Sequence, residues 1–188
     1  MRKNYGVKPC AYPMPVFIIA TYDENGVPDA MNAAWGGIAE ENKINICMDP
    51  EHKTYANILK TKAFTVSMGE AKYMAECDYV GIVSANDEPD KLKKSGFHTT
   101  KSELVNAPII DELSVCIECR FVSFDESDCR LVGEIVNVSV DERVLDEKGN
   151  PDIKKIEPIA FDAFNSAYVK LTETIGDAFS IGNIIADR

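Results

Sequence analysis

The sequence of 188 residues lacks several motifs by which enzyme sites are commonly recognised. It contains no GxGxxG or GxxxxGK(S/T) phosphate-binding loop, no HExxH zinc motif and no nucleophile elbow. Histidine is scarce: there are two, and neither lies near cysteines or carboxylates with the spacing of metal ligands. These absences argue against a Rossmann unit, a P-loop and a serine-hydrolase site, and they leave no convincing catalytic triad.

The chain also has few positively charged residues relative to its acidic ones, and it has no long apolar run. The chain has 20 Lys and Arg against 31 Asp and Glu, a net charge of −11, so its average surface repels nucleic-acid backbones and anionic membranes. The longest strongly apolar run, residues 16–20, is far shorter than the ~20 residues of a membrane-spanning helix. We therefore predict a protein that binds neither nucleic acid nor a membrane. Six cysteines are too few for a disulfide scaffold in a chain of this length, which predicts reduced thiols and a cytoplasmic location.

The rest of the composition, with 45% hydrophobic residues, is typical of a chain that buries a core, and we predict one domain over residues 1–188. Apolar alternation and β-branched residues predict strands at residues 16–21, 28–37, 43–48, 63–68, 113–124 and 129–140. Short helices are predicted to begin at Asp49-Pro50 and to cover residues 73–79 and 88–95. Tight turns join consecutive strands, so the predicted fold is mainly β, an antiparallel barrel with peripheral short helices.

The motif Cys116-Ile117-Glu118-Cys119 has the CxxC spacing of a redox pair or of half a zinc site. It lies inside a predicted strand, where residues three apart point to opposite faces of the sheet. This geometry separates the two sulfurs and favours structural thiols. A thiol or zinc protein that uses these cysteines together with Cys129 is the third functional class that we consider.

Two other features each have two interpretations. His52, Lys53 and Thr54 lie in the first turn of a predicted helix, where free amides, a cation and a hydroxyl can hold a phosphate; a solvated helix start has the same residues. Trp35, the single tryptophan, lies among alanines and glycines. It either lines a site for a flat ligand or packs in the core or at a subunit interface.

Eight segments, taken in order, carry a family resemblance over nearly the whole chain. They are Tyr12-Pro13-Met14-Pro15-Val16, Asn32-Ala33-Ala34-Trp35, Pro50-Glu51-His52-Lys53-Thr54 with Asn57-Ile58, Cys77-Asp78-Tyr79-Val80-Gly81-Ile82-Val83-Ser84, Asp90-Lys91-Leu92, Glu118-Cys119-Arg120, Gly133-Glu134-Ile135 and Ile175-Gly176-Asp177-Ala178-Phe179-Ser180-Ile181-Gly182. No segment is specific alone, but their order and spacing resemble the flavin reductase-like proteins with an FMN-binding split barrel, and most closely the flavoredoxins.

The resemblance implies a homodimer of six-stranded antiparallel split β-barrels of Greek-key type, with one FMN per protomer near the subunit interface. The residues that it places along the isoalloxazine are Asn32, Ala33, Ala34 and Trp35. Those that it places around the ribityl phosphate are His52, Lys53, Thr54, Ser84 and Lys91. An aromatic residue of the C-terminal segment covers the flavin in relatives, and Phe164 is the first candidate here, ahead of Phe161. Cys129 is a departure, because many relatives carry a histidine shortly before the Gly-Glu pair; we expect Cys129 to contact the flavin region without an imidazole.

The function that the resemblance implies is that of an FMN-dependent oxidoreductase or electron carrier. NADH or NADPH is the candidate electron donor, and a redox partner protein is the other candidate. The flavin would carry the redox chemistry while the protein supplies binding and orientation, so no dedicated general acid or base is needed. The alternative is a non-catalytic FMN-binding or sensing module, which the cysteine at position 129 leaves open.

Overall fold

The computed structural model describes residues 1–186, and strands dominate it. The strands are β1 (Met14–Pro15), β2 (Phe17–Tyr22), β3 (Pro28–Ala33), β4 (Gly36–Glu40), β5 (Lys43–Cys47), β6 (Ala63–Met68), β7 (Thr99–Lys101), β8 (Pro108–Ile110), β9 (Val115–Asp125), β10 (Arg130–Val140), β11 (Ile159–Asp162) and β12 (Ala167–Lys170). The helices are α1 (Lys53–Thr61), α2 (Met74–Ile82), α3 (Lys91–Ser95), α4 (Ile153–Ile156) and α5 (Asn183–Ala186), with 3₁₀ turns at Ala71–Tyr73 and Glu142–Val144. Among these residues, no helix has the length and apolar character needed to cross a bilayer.

The main sheet has seven strands, all paired antiparallel, in the order β3-β2-β6-β9-β10-β5-β4. Its two edge strands, β3 and β4, are separated in the chain only by Ala34 and Trp35. Three Cα steps reach at most about 11 Å, so the sheet must curl until its edges nearly meet. The predicted mainly β split barrel with short helices is therefore confirmed, with seven strands in the main sheet rather than six.

The prediction of one strand over residues 28–37 was wrong. The chain leaves β3 after Ala33, crosses to the opposite edge of the sheet, and pairs with β5 from Gly36 onward. Small residues make this crossing feasible, because a Cβ at Gly36 would lie 2.7 Å from the carbonyl oxygen of Asn45 and 3.2 Å from the Phe17 ring. Alternating hydrophobicity shows neither the break nor the change of partner.

The sheet is buried on both faces at β2. Ile19 packs inside the barrel with Ile44 and Phe64, whereas Ile18 packs on the outer face with Cys77 and other residues of the α2 region. All of β2 except Tyr22 is buried, which explains its nearly continuous apolar sequence. The hairpin of β9 and β10 lies within two residues of its predicted bounds.

The helices exist where they were predicted, but their bounds differ. Helix α1 begins at Lys53 and not at Asp49, because the Asp49 carboxylate accepts the Glu51 amide at 2.9 Å and the Asp49 carbonyl accepts the His52 amide at 3.1 Å. Residues 49–52 are thus a turn that precedes the helix. Helix α2 ends three residues beyond its predicted end, and α3 begins three residues later than expected and stops at Gly96, whose φ is 89°.

The two cysteines of the CxxC motif lie on opposite faces of β9, as predicted. Cys119 faces the barrel interior opposite Phe64, and Cys116 pairs with Ser67 on the other face. Burial raises the pKa of Cys116 to about 11 and that of Cys119 to about 12. Both thiols are therefore protonated at neutral pH, and they pack as small apolar groups.

Candidate functional site

Three adjoining recesses form a groove along β3 and the link to β4. The polar recess, about 170 Å³, is lined by Met31, Asn32, His52, Lys53, Thr54, Val80, Gly81, Ile82, Val83, Ser84, Ala85 and Lys91. The central recess, about 240 Å³, is lined by Val16, Asn32, Ala34, Asp78, Gly81, Ile82, Phe161 and Tyr168. The apolar recess, about 420 Å³, is lined by Pro9, Cys10, Ala11, Pro13, Met14, Pro15, Ala34, Trp35 and Gly36. Asn32 is shared by the first two recesses and Ala34 by the last two, so the groove is continuous.

The start of α1 forms one wall of the polar recess. The backbone amides of Lys53 and Thr54 have no backbone partner among residues 1–186, as expected for the first turn of a helix. Across the recess, the exposed Ser84 hydroxyl accepts the Asn86 amide at 3.2 Å. The Asn86 side chain donates to the Glu51 carbonyl at 3.1 Å and so ties the two walls together. Free amides, a hydroxyl and cationic side chains thus converge at one end of the groove.

Lys91 lies behind this recess and is 3% exposed. Its ammonium donates to the carbonyl oxygens of Val83 at 2.9 Å and Val80 at 3.2 Å, at the C-terminal end of α2. A cation at a helix C-terminus is favoured by the helix dipole and by the unpaired carbonyls there. The observed role of Lys91 is thus to hold the segment after α2, and its contact with a phosphate stays a prediction.

Asp29, at the start of β3, completes a buried network behind the polar recess. It is 5% exposed, accepts the Thr54 hydroxyl at Oδ2 (3.2 Å), and lies 3.4 Å from the Lys91 ammonium at Oδ1. Asp29 and Lys91 thus form a buried ion pair, and Oδ1 has no other partner among the described residues. Burial raises the pKa of Asp29, and Lys91 opposes this shift. We did not predict Asp29 from the sequence, because its burial depends on α1 and α3 packing over the strand.

In the central recess, α2 approaches β3 closely. The Asn32 side chain donates to the Cys77 carbonyl at 3.1 Å, and a Cβ at Gly81 would lie only 2.8 Å from the Cβ of Asn32. On the facing wall, the Tyr168 hydroxyl donates to the Asp78 carboxylate at 2.6 Å. Burial and this hydrogen bond both raise the pKa of Tyr168. Asp78 and Tyr168 were not predicted as site residues; Tyr168 reaches the groove through β12, a strand that was not predicted either.

The apolar recess is bounded by the N-terminal segment and by Trp35, which is 56% exposed. Trp35 is therefore not a core residue of its own chain. Two of its interpretations remain: it lines a ligand site, or it lies at a subunit interface. Ala34, beside it, is half-buried and lines two recesses. Ala33 has a different position: its side chain packs in the barrel core and lines none of the three recesses.

Phe164 lies outside the groove lining, in a cluster with the N-terminal segment. Its ring is 5.5 Å from that of Tyr5 and 6.4 Å from that of Tyr12, centroid to centroid. The Tyr12 hydroxyl donates to the carboxylate of Asp162, which also accepts the Phe164 amide at 3.0 Å. The hydrogen bond to Asp162 raises the pKa of Tyr12 to about 12. This cluster ties the wall of the apolar recess to the β11–β12 hairpin, and a contact between Phe164 and a flavin stays a prediction.

Cys129 is also separate from the groove lining. It is half-buried, has a φ of 55°, and its carbonyl accepts the Met48 amide at 2.9 Å. The left-handed conformation closes the turn between β9 and β10, which is an uncommon position for a residue other than glycine.

The structure thus brings together eight of the eleven predicted residues, namely Asn32, Ala34, Trp35, His52, Lys53, Thr54, Ser84 and Lys91.

A curled antiparallel barrel, with a groove that is cationic at one end and apolar at the other, defines a split-barrel fold. Residues 10–162 match the flavin reductase like domain. The chain therefore belongs to the flavin reductase-like family.

The structure is similar to flavoredoxin of Desulfovibrio vulgaris (Miyazaki F), with a TM-score of 0.92 and 35% identity over 97% of this chain and 100% of that one. Flavoredoxin from Methanosarcina acetivorans gives a TM-score of 0.83 and 28% identity, over 98% of each chain. A curated relative, an uncharacterized protein of Aeropyrum pernix, is 25% identical over 118 residues. That match covers 62% of this chain but only 44% of the relative.

Proposed function

We propose that the protein binds one FMN in the groove and acts as a flavin-dependent redox protein of the flavoredoxin type. The observation that carries the proposal is the polarity of the groove, which has free helix amides and cations at one end and a wall without charge at the other. A ligand with a dianionic phosphate at one end and a flat ring system at the other matches this order. The similarity to two flavoredoxins over nearly the whole chain supports it.

The residues present fit the phosphate of FMN. The unpaired amides of Lys53 and Thr54 are donors of the kind that bind anions at helix N-termini, and Lys53, His52 and Ser84 add side-chain donors around the same recess. In a chain with a net charge of −11, such a cluster is a local exception. Asn32, Ala34 and Trp35 would then lie along the ring system. When bound, FMN would supply hydride and electron transfer, and the protein would bind and orient it.

A direct test is the visible absorption spectrum of the purified protein, followed by denaturation and identification of the released chromophore. We expect FMN at about one equivalent per chain, the ratio implied by one groove. Thr54→Ala should weaken FMN retention by about 1–3 kcal/mol, because it removes the hydroxyl contact to the phosphate and leaves the backbone amide in place. Thr61→Ala is the matched control, because its hydroxyl bonds to the Asn57 carbonyl at the far end of α1. A protein that neither contains nor takes up FMN contradicts the proposal.

The electron donor is proposed to be NADH, NADPH or a redox partner protein. Anaerobic titration of the FMN-loaded protein with each nicotinamide distinguishes these sources. Prompt bleaching of the flavin by either one identifies a reductase, and bleaching only by a reduced protein identifies a carrier. FMN that is bound but is reduced by no donor favours the non-catalytic sensing module instead.

We also propose that the protein is a cytoplasmic homodimer. The C-terminal segment supports the dimer, because large apolar side chains on it are more than half exposed in the single chain. They are Ile175, Phe179, Ile181, Ile184 and Ile185. Sedimentation of the full chain should give twice the monomer mass of 20.8 kDa, and Phe179→Asp with Ile184→Asp should shift it toward monomer. A monomeric wild-type chain at micromolar concentration contradicts this part of the proposal.

A further inference from the structure

The two predicted phosphate donors that lie deepest in the polar recess are already engaged. The Thr54 hydroxyl has a single hydrogen, and it donates this hydrogen to Asp29. The Lys91 ammonium has three hydrogens: two go to the carbonyls of Val80 and Val83, and its remaining contact is the ion pair with Asp29. Both side chains line the recess, yet both are turned toward a carboxylate behind it.

The side-chain partners of Asp29 are those two donors, and the backbone amide of Ala30 also lowers the pKa of this carboxyl. Thr54 comes from α1 and Lys91 from α3, and the neighbouring β2 residue in register is the uncharged Thr21. Helix α2 also packs on β3, but its Cys77 and Asp78 lie toward Asn32, further along the strand. Lys53 and His52 line the recess on its outer side, half-buried and exposed respectively. Lys91 is thus the one charged partner of Asp29 among the described residues, and it lies 3.4 Å from the carboxylate oxygen that Thr54 does not contact.

We propose that Asp29 is a built-in counter-anion of the polar recess: a bound phosphate draws the Thr54 hydroxyl and the Lys91 ammonium away from it, and Asp29 takes up one proton as the phosphate binds. The proton comes from solvent, and no covalent bond to the ligand changes. This inference deepens the proposed function, because FMN is the phosphate ligand considered there. Its physical basis is that a second anion cannot share these donors while a buried carboxylate stays charged and unpaired.

The burial of Asp29 favours its protonated form and so acts in the direction of this uptake. Desolvation already raises the pKa of this carboxyl while Lys91 and Thr54 are in place. Loss of either partner, together with the negative charge of a phosphate nearby, acts in the same direction. By linkage, the affinity for FMN should then fall by up to tenfold per pH unit wherever Asp29 is charged in the free protein and protonated in the complex.

The test is isothermal titration calorimetry with FMN at pH 8, where its phosphate is fully ionised, in buffers of different ionisation enthalpy. Riboflavin, which lacks the phosphate, is the ligand control. We expect net proton uptake on FMN binding in the wild type, and a clearly smaller uptake in Asp29→Asn. Asp90→Asn is the matched control, because Asp90 is an exposed carboxylate next to Lys91. The two proteins differ only at position 29, so the difference between their proton counts isolates Asp29.

Equal proton counts in the wild type and Asp29→Asn, with FMN still bound, overturn the inference and leave the proposed function intact. If FMN does not bind at all, the proposed function fails, and inorganic phosphate is used as the probe for the same proton count. Should Asp29→Asn fail to fold, infrared difference spectra of the wild type decide. A new protonated carboxyl band on addition of FMN supports the inference, and no such band with saturating FMN overturns it.

Discussion

Replacement of Lys91 by methionine isolates the contribution of a buried charge to this fold. Methionine keeps an unbranched side chain and removes the ammonium with its three donors. The variant leaves Asp29 buried without its cation and the carbonyls of Val80 and Val83 without their donor. Breaking a buried ion pair from one side costs about 3–5 kcal/mol. This is a large part of the roughly 5–15 kcal/mol by which a domain of this kind is stable.

The loss should depend on pH in a defined direction. Burial raises the pKa of Asp29 already in the wild type, and removal of Lys91 raises it further. A carboxyl with a folded pKa above its unfolded value destabilises the protein increasingly as pH rises from the unfolded value to the folded value. It has no such effect below the unfolded value of about 3.9, where the carboxyl is protonated in both states. The deficit of Lys91→Met should therefore be larger at pH 7 than at pH 5.

Urea denaturation followed by far-UV circular dichroism measures this loss as a lower transition midpoint. The double variant Lys91→Met, Asp29→Asn should recover at least half of it, because no buried charge is left unpaired. Lys94→Met is the matched control on the same helix, since Lys94 pairs with Glu88 at the surface, and its midpoint should not change. A loss below about 1 kcal/mol at pH 7, the size of a surface effect, would refute the reasoning. So would a double variant no more stable than the single one.

Three other perturbations test separate parts of the structure. Gly81→Ala places a Cβ 2.8 Å from that of Asn32, so we expect about 1–3 kcal/mol of destabilisation in denaturant titrations; an unchanged midpoint would show that α2 can retreat freely. Tyr12→Phe removes the hydrogen bond to Asp162 and should speed proteolysis of the N-terminal segment, whereas Tyr5→Phe should not. Equal proteolysis rates for the two variants would show that this hydrogen bond does not hold the segment in place. Alkylation of the native protein should modify the exposed Cys47 and spare Cys77, Cys116 and Cys119, which are buried with raised pKa values. Mass spectrometry measures which cysteines are alkylated with and without urea.

The parts of the fold that were predicted correctly are those governed by local pattern. Residues 63–68 were predicted within their observed bounds, and the β9–β10 hairpin nearly so, because alternation and a polar turn decide both. The crossing at Ala34 and Trp35 was missed, because it depends on which edge of the sheet β4 joins. Strand β12 and the two-residue β1 are too short to show a period, and pairing with β11 stabilises both.

The residues of the candidate site also fall into those that local sequence predicts and those that it does not. The segment from His52 to Thr54 was recognised by residue type at a helix start, and it lies in the groove. Asp29, Asp78 and Tyr168 carry no comparable signal, since their surroundings come from helices and strands distant in the chain. Residue type also failed to distinguish Ala33 from Ala34: a strand alternates its faces, and one alanine points into the barrel while the next lines the groove.

The two-residue link between β3 and β4 lines the groove and also joins the two edge strands of the barrel. A loop elsewhere on the surface tolerates added residues, because closure entropy rises only slowly with loop length. Here an insertion between Ala34 and Trp35 would let the two sheet edges separate and would widen the groove at once. We therefore expect a change in length at this link to disturb the groove more than a change in length of a turn such as 125–129. Ligand preference along the central wall then depends on the identity of its side chains, because the two strands that the link joins set its length.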